Sequence, residues 1–205
     1  IEWLGESVKM IDQTKIPYSF ETIELTKCEE VAEAIKVMIV RGAPAIGIAG
    51  AHGVTLAAIE LSKKEKDKKT FLLKLKERAE FLKSTRPTAV NLMWAVDKQI
   101  EAAESYGGDD VEGIVEALKS NGVILENQDV EINKKIGDFG AEIIPEGATI
   151  LTHCNAGALA TVGYGTALGV VRSAYAKDNT IRVFADETRP RQQGARLTTF
   201  ELIED

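Results

Sequence analysis

The stretch Thr149-Ile150-Leu151-Thr152-His153-Cys154-Asn155-Ala156-Gly157-Ala158-Leu159-Ala160-Thr161 decides how the rest of the chain is read. The short apolar run from Ala148 to Leu151 has the character of a strand buried on both faces, and Asn155 with Gly157 opens a long small-residue helical pattern. That order puts one cysteine at the mouth of a helix. The free N–H groups and positive dipole end of a helix N-terminus lower a neighbouring thiol's pKa and bind anions such as phosphate. Cys154 is therefore either a reactive thiol or, as free cysteines commonly are, a small buried core residue.

Downstream of Pro145-Glu146-Gly147 the pattern predicts a strand over 148–153, a helix from about 157 to 176, a strand over Thr180–Ala185, a loop, and a helix from about Ala195. This is a βαβ progression with a parallel sheet and a right-handed connection. Gly163, Gly165 and Gly169 invite a dinucleotide-binding reading, but their spacing is G-x-G-x-x-x-G and they are expected inside the helix, so the fingerprint fails in spacing and in place. They are read as letting that helix lie close to the sheet.

Upstream, residues 1–26 alternate loosely and predict two or three short strands. Val31, Ala34, Ile35, Met38 and Ile39 follow helical spacing, stopping near Arg41-Gly42-Ala43-Pro44, and a small-residue helix follows over Ala45–Leu61. Ser62 to Lys69 is a charged, solvated loop. Further helices are expected over Phe71–Leu82 and Asn91–Ser105, another beginning over Val111–Lys119, and one over 129–144. The fold class is α/β: a mostly helical N-terminal domain with a small β-sheet (1–128), a linking helix (129–144), and the first part of a Rossmann-like parallel-sheet domain (145–205), truncated at its C-terminus. Ile1 and the uncapped helical pattern at Glu201–Asp205 read as cut ends.

Composition narrows the function classes. A formal charge of −7 argues against broad electrostatic binding to nucleic acid or to an acidic membrane. The apolar region Val37–Leu61 holds Arg41, Pro44, His52 and four glycines, which argues against a membrane span. Two distant cysteines, Cys28 and Cys154, and no signal-peptide pattern suggest free thiols in a reduced cytoplasmic setting. No H-x-x-H or C-x-x-C spacing suggests a metal site.

Arg41 and Arg86 each stand in a turn that immediately precedes a helix, the arrangement from which anion sites are built: a guanidinium binds phosphate through paired hydrogen bonds, while Gly42 allows close backbone approach. A surface ion pair is the other reading of either arginine. The loop Asp186–Thr198 lies where ligands bind in open α/β sheets, at the carboxyl ends of strands. Within it, Asp186 or Glu187 reads either as an acid–base group or, preferentially, as an ion-pair partner of Arg189, Arg191 or Arg196. His153 should point away from Cys154, because strand neighbours face opposite sides. His52 is read as a satisfied interior histidine.

Four motifs then carry a resemblance: Arg41-Gly-Ala-Pro-Ala-Ile-Gly47, Thr85-Arg-Pro-Thr-Ala-Val-Asn-Leu92, Thr152-His-Cys-Asn-Ala-Gly-Ala-Leu-Ala-Thr161, and Asp186-Glu-Thr-Arg-Pro190 with Gln193-Gly-Ala-Arg-Leu-Thr198. In order and length they resemble the methylthioribose-1-phosphate isomerase family, itself related in fold to the regulatory subunits of the translation initiation nucleotide-exchange factor. The resemblance implies interconversion of S-methyl-5-thioribose 1-phosphate and S-methyl-5-thioribulose 1-phosphate in methionine salvage, without metal or organic cofactor. It assigns Cys154 as the catalytic cysteine and Arg41, Gly42, Ala43, Arg86 and Gln193 as substrate contacts. It implies a sugar-phosphate ligand, a homodimer at full length, and a partner aspartate in a later segment that this chain does not include. That aspartate could reside on a complementary C-terminal fragment, and the chain alone should be inactive and prone to associate. A ribose-1,5-bisphosphate isomerase and a non-catalytic regulatory subunit are the competing readings, with a bare interaction module the weakest.

Overall fold

The computed structural model describes residues 1–205, and the chain divides into two compact units, 1–12 with 22–126, and 13–21 with 127–205. In the first unit, β1 (Glu2–Trp3), β2 (Val8–Ile11) and β3 (Thr22–Leu25) form an antiparallel sheet in the order β1-β2-β3. The alternation of Val8 and Met10, both buried, with exposed Lys9 turns one face of β2 to the core.

Four helices and part of a fifth complete this unit: α1 (Cys28–Lys36), α2 (Ala43–Ser62), α3 (Lys68–Ser84), α4 (Val90–Ser105) and α5 (Val111–Glu142). α1 stops earlier than its apolar spacing predicts, because Met38 takes a left-handed φ of 65° and breaks the helical path. α2 is long and apolar enough by length and composition to cross a membrane, but 83% of its most apolar stretch is buried within the protein. It is a core helix with apolar residues on every side, packed against α1, α3 and α4. The charged run Ser62–Lys69 forms the connection to α3, whose start is capped by the Asp67 carboxylate accepting from the Thr70 N–H at 2.8 Å.

α5 corrects the sequence reading of two helices separated near residue 128. One 32-residue helix runs through Gly122 and Asn127, since no proline interrupts the segment and a lone glycine costs a helix only about 1 kcal/mol. Its residues to Glu126 belong to the first unit and its later ones to the second.

The second unit holds a parallel pair, β4 (Thr149–His153) and β5 (Arg182–Asp186), with Thr149 opposite Arg182 and His153 opposite Asp186. Between them lie a single 3₁₀ turn (Ala158–Ala160) and α6 (Ala167–Lys177), and after them a π-helical turn (Gly194–Thr198) continues into α7 (Thr199–Glu204). Two expectations fail here. The helix begins at Ala167 rather than near 157, because Tyr164 (φ 73°) and Gly165 (φ 84°) take left-handed conformations incompatible with a helix. Gly163 and Gly165 therefore lie in the strand-to-helix connection, and only Gly169 is helical. Nor is β4 buried on both faces. Ile150 packs near Ala141, Ala174 and Ile181, while Leu151 and Phe184, paired on the other face, are 65% and 63% exposed.

Candidate active site

Each unit carries part of the predicted constellation. In the first, Arg41 is half-buried and directly precedes Gly42, which starts α2 at φ 94°, ψ 138°, a conformation that favours glycine. Ala43 and Pro44 then open the helix, and the Gly42 carbonyl accepts from the Ile46 N–H at 2.9 Å. Arg86, also half-buried, lies in the turn between α3 and α4, its carbonyl accepting from the Ala89 N–H.

The two arginine turns share one end of a helix pair. A Cβ on Gly47 would lie 2.9 Å from the Asn91 carbonyl oxygen, so the first turns of α2 and α4 touch backbone to backbone. Farther along, the Gln99 side-chain amide reaches the Ala51 carbonyl at 3.2 Å and the Thr55 hydroxyl at 3.0 Å. Contacts that advance together along both helices make them parallel, so the turns bearing Arg41 and Arg86 open at the same end.

In the second unit Cys154 is the residue after β4. It is half-buried, with a left-handed φ of 61°, unusual for a residue other than glycine. The Thr198 hydroxyl donates to its carbonyl at 2.5 Å. The Thr188 hydroxyl lies 3.9 Å from its Sγ and also donates to Gln193 Oε1, so Gln193, Thr188 and Cys154 form one polar row. The sequence-predicted Cys154 and Gln193 thus meet through a threonine to which no role was assigned.

No long helix starts at the thiol. The N–H groups that a phosphate would use at the 3₁₀ turn are already engaged: those of Ala158 and Leu159 donate to the carboxylate of Glu201 at 2.6 and 3.3 Å. Thr188, Thr198, Asn155 and Glu201 are the site residues that sequence reasoning missed. Thr188 and Thr198 stand inside the quoted motifs, and the density of hydroxyls beside Gln193 was the available signal. Glu201 lies in an ordinary helical pattern and carried no signal.

The acidic pair after β5 also departs from expectation. Asp186 is 3.8 Å from His153 Nδ1, across the strand pair, rather than on an arginine. Glu187 accepts the backbone N–H groups of Thr188, Gly194 and Ala195. Desolvation pushes its pKa up, but those three donors outweigh it and hold the carboxyl below its ordinary range. Arg196 instead donates to the carbonyls of Thr14 and Ile16, which tie residues 13–21 to this unit, as does Gln13, whose amide donates to the Leu159 carbonyl at 2.7 Å. His153 is exposed at the strand end, on the side away from the sheet's helical cover.

His52, fully buried, stacks under Trp3 with ring centroids 5.0 Å apart, and its Nε2 is 2.9 Å from Glu126. It is an interior histidine with one strong partner, set within α2 about three turns along from the Arg41 turn. No group of three or more His, Cys, Asp or Glu side chains is placed to hold a metal ion.

Residues 39–205 match the Initiation factor 2 subunit family. A methylthioribose-1-phosphate isomerase of Thermosipho africanus (strain TCF52B) is 50% identical over all 205 residues, which span 58% of that relative. Among solved structures, 5-methylthioribose 1-phosphate isomerase from Pyrococcus horikoshii OT3 matches with a TM-score of 0.90 and 43% identity, covering 100% of this chain and 56% of that one. The solved structure of the translation initiation factor eIF-2B, subunit delta, from A. fulgidus matches with a TM-score of 0.88 and 49% identity, covering 99% of this chain and 58% of that one. The resemblance carried by four motifs therefore extends along the whole chain, and the mixed helical and parallel-sheet architecture agrees with the fold class read from sequence.

Proposed function

The chain belongs to the Initiation factor 2 subunit family, and on that premise we propose that the polypeptide containing it is an aldose–ketose isomerase acting on S-methyl-5-thioribose 1-phosphate. The observation that carries this reading is the environment of Cys154: a thiol held in a left-handed turn at the carboxyl end of a parallel strand, in a row with Thr188 and Gln193. Ligands in open α/β sheets bind at such strand ends. The 50% identity to a relative named methylthioribose-1-phosphate isomerase supplies the substrate.

The phosphate on the anomeric oxygen prevents simple ring opening to an aldehyde, so the C1 to ring-oxygen bond must break with help. The ring oxygen gains a proton, hydrogen moves from C2 to C1, and the C2 hydroxyl loses its proton as the ketone forms; atoms and electrons balance within the sugar. Cys154 acts as an acid–base group or stabilises the developing charge. Arg41, Arg86 and the backbone at Gly42 and Ala43 hold the phosphate, which suits the common end of α2 and α4. Gln193 contacts the sugar and orients the Thr188 hydroxyl.

Residues 145–205 are, on this reading, the first part of a Rossmann-like catalytic domain following an N-terminal domain, and the apolar exposed face at Leu151 and Phe184 supports further chain packing there. A cytoplasmic homodimer, or association with a C-terminal fragment bearing the partner aspartate, belongs to the same proposal. The test is turnover of the methylthio sugar phosphate by the full polypeptide, with ribose 1,5-bisphosphate as competitor. Conversion of the first sugar with loss on Cys154→Ser supports it, and preference for the bisphosphate replaces the substrate. The 49% identity to the A. fulgidus protein favours a second reading, a regulatory subunit without catalysis. Absence of turnover and of sugar-phosphate binding would select it.

A further inference from the structure

We propose that Glu201 is a positioning residue for Cys154: a buried carboxylate that takes the place of an external anion in the turn after β4 and locks the thiol's backbone. Glu201 is 4% exposed and sits on α7, 47 residues along the chain from the cysteine. Its Oε1 accepts from Asn155 Nδ2 at 2.8 Å and from the Leu159 N–H at 3.3 Å. Its Oε2 accepts from the Ala158 N–H at 2.6 Å and from Arg172 Nη2 at 2.9 Å. Three of these four donors belong to residues 155–159, the segment that leaves the cysteine.

The grip is completed from the turn before α7. Thr198 Oγ1 donates to the Cys154 carbonyl and accepts from Asn155 Nδ2 at 3.2 Å. The Asn155 amide therefore bridges Thr198 to Glu201, and a single segment, 198–201, holds both the cysteine's carbonyl and the amides that follow it. Close approach is built in, since a Cβ on Gly157 would lie 2.2 Å from Glu201 Oε2. A left-handed cysteine is unfavourable on its own and persists where surrounding bonds over-determine it. Charge-assisted bonds to one buried carboxylate are the strong kind, and each N–H would be costly to leave unpaired.

This inference rests on the proposed role of Cys154 as the reacting thiol, but its physical content, control of the thiol's geometry, is measurable without turnover. The experiment compares the full polypeptide with Glu201→Gln, which keeps volume and removes the charge. Four quantities are read: kcat, KM, the melting midpoint, and the rate at which iodoacetamide alkylates Cys154. A thiol displaced by about 1 Å loses up to about 10²-fold in rate. Glu201→Gln is expected to lower kcat at least ten-fold with KM within three-fold, and to change the alkylation rate at least three-fold. Thr198→Val, which removes only the hydroxyl on the Cys154 carbonyl, is expected to give the same signature and carries the test if Glu201→Gln does not fold. Wild-type kcat and alkylation rate in the folded variants would overturn the proposal. A wild-type protein without isomerase activity would overturn the functional reading instead, while the alkylation rate would still decide the positioning role.

Discussion

The two cysteines stand in opposite settings. Cys28 opens α1, at a helix N-terminus where the dipole should favour a thiolate. Yet it is 1% exposed, and burial pushes its thiol up to about 12, with Glu29 and Glu60 adding to the rise and Arg78 opposing it. Cys154, expected between a strand and the mouth of a helix, does follow the strand, but no long helix starts beside it, and it stays half-exposed with a hydroxyl 3.9 Å from its sulfur. In both places a carboxylate accepts neighbouring backbone N–H groups: Glu30 from Thr26 and Lys27, which lead into α1, and Glu201 from Ala158 and Leu159. What separates the two thiols is therefore water and hydroxyl contact, and desolvation outweighs the dipole at Cys28.

The largest effect that tests this contrast is on turnover. Cys154→Ser in the full polypeptide should reduce kcat by about 10³-fold or more, whereas Cys28→Ala should keep kcat near wild type. Equal losses from both substitutions would erase the distinction. Alkylation comes next: at pH 8 a thiol with a pKa near 12 is about 10⁻⁴ thiolate, so iodoacetamide should mark Cys154 and leave Cys28 unmodified in the folded protein. Peptide mapping by mass spectrometry reads the result, and prompt labelling of Cys28 would mean that its burial is wrong.

Stability effects are smaller. Gly157→Ala forces a methyl into the Glu201 carboxylate and should cost about 1–3 kcal/mol in denaturant unfolding. Cys28→Ala should cost about 1 kcal/mol through the small cavity it leaves. The smallest effect is pH-dependent. The folded pKa of Glu187 lies below its unfolded value, so its contribution is complete above the unfolded value and fades as pH falls through the folded one. Glu187→Gln should therefore lower the melting midpoint slightly at pH 7, with the difference from wild type closing below about pH 4. A difference that grew in acid would reverse the assigned direction.

Local pattern made much of this chain legible. The apolar periodicity of α2, α3 and α4, the turns at Arg41 and Arg86, the parallel order of β4 and β5, and the interior setting of His52 all follow from side-chain spacing and from where glycine and proline fall. The delayed start of α6 was not legible, because Ala158 to Ala160 have helical preferences that only the left-handed Tyr164 and Gly165 overrule. The same holds for the merged α5 and for the ligands of Glu187 and Asp186. Asp186 meets the His153 ring across the strand pair, and Glu187 gathers N–H groups from its own loop, pairings decided by the folded path of strand and loop.

Sequence alone determined that Cys154 would end a strand of a parallel pair and that two arginines would precede helices, since both facts are local, encoded in hydrophobic period and turn chemistry. Only the tertiary structure decided that Thr188 and Gln193 reach that cysteine, that Glu201 occupies the amides beyond it, and that Cys28 is sealed from water. Those outcomes depend on burial and on contacts between residues dozens of positions apart. The free energy of a buried charge or thiol is set by what surrounds it in space, which spacing along the chain does not specify.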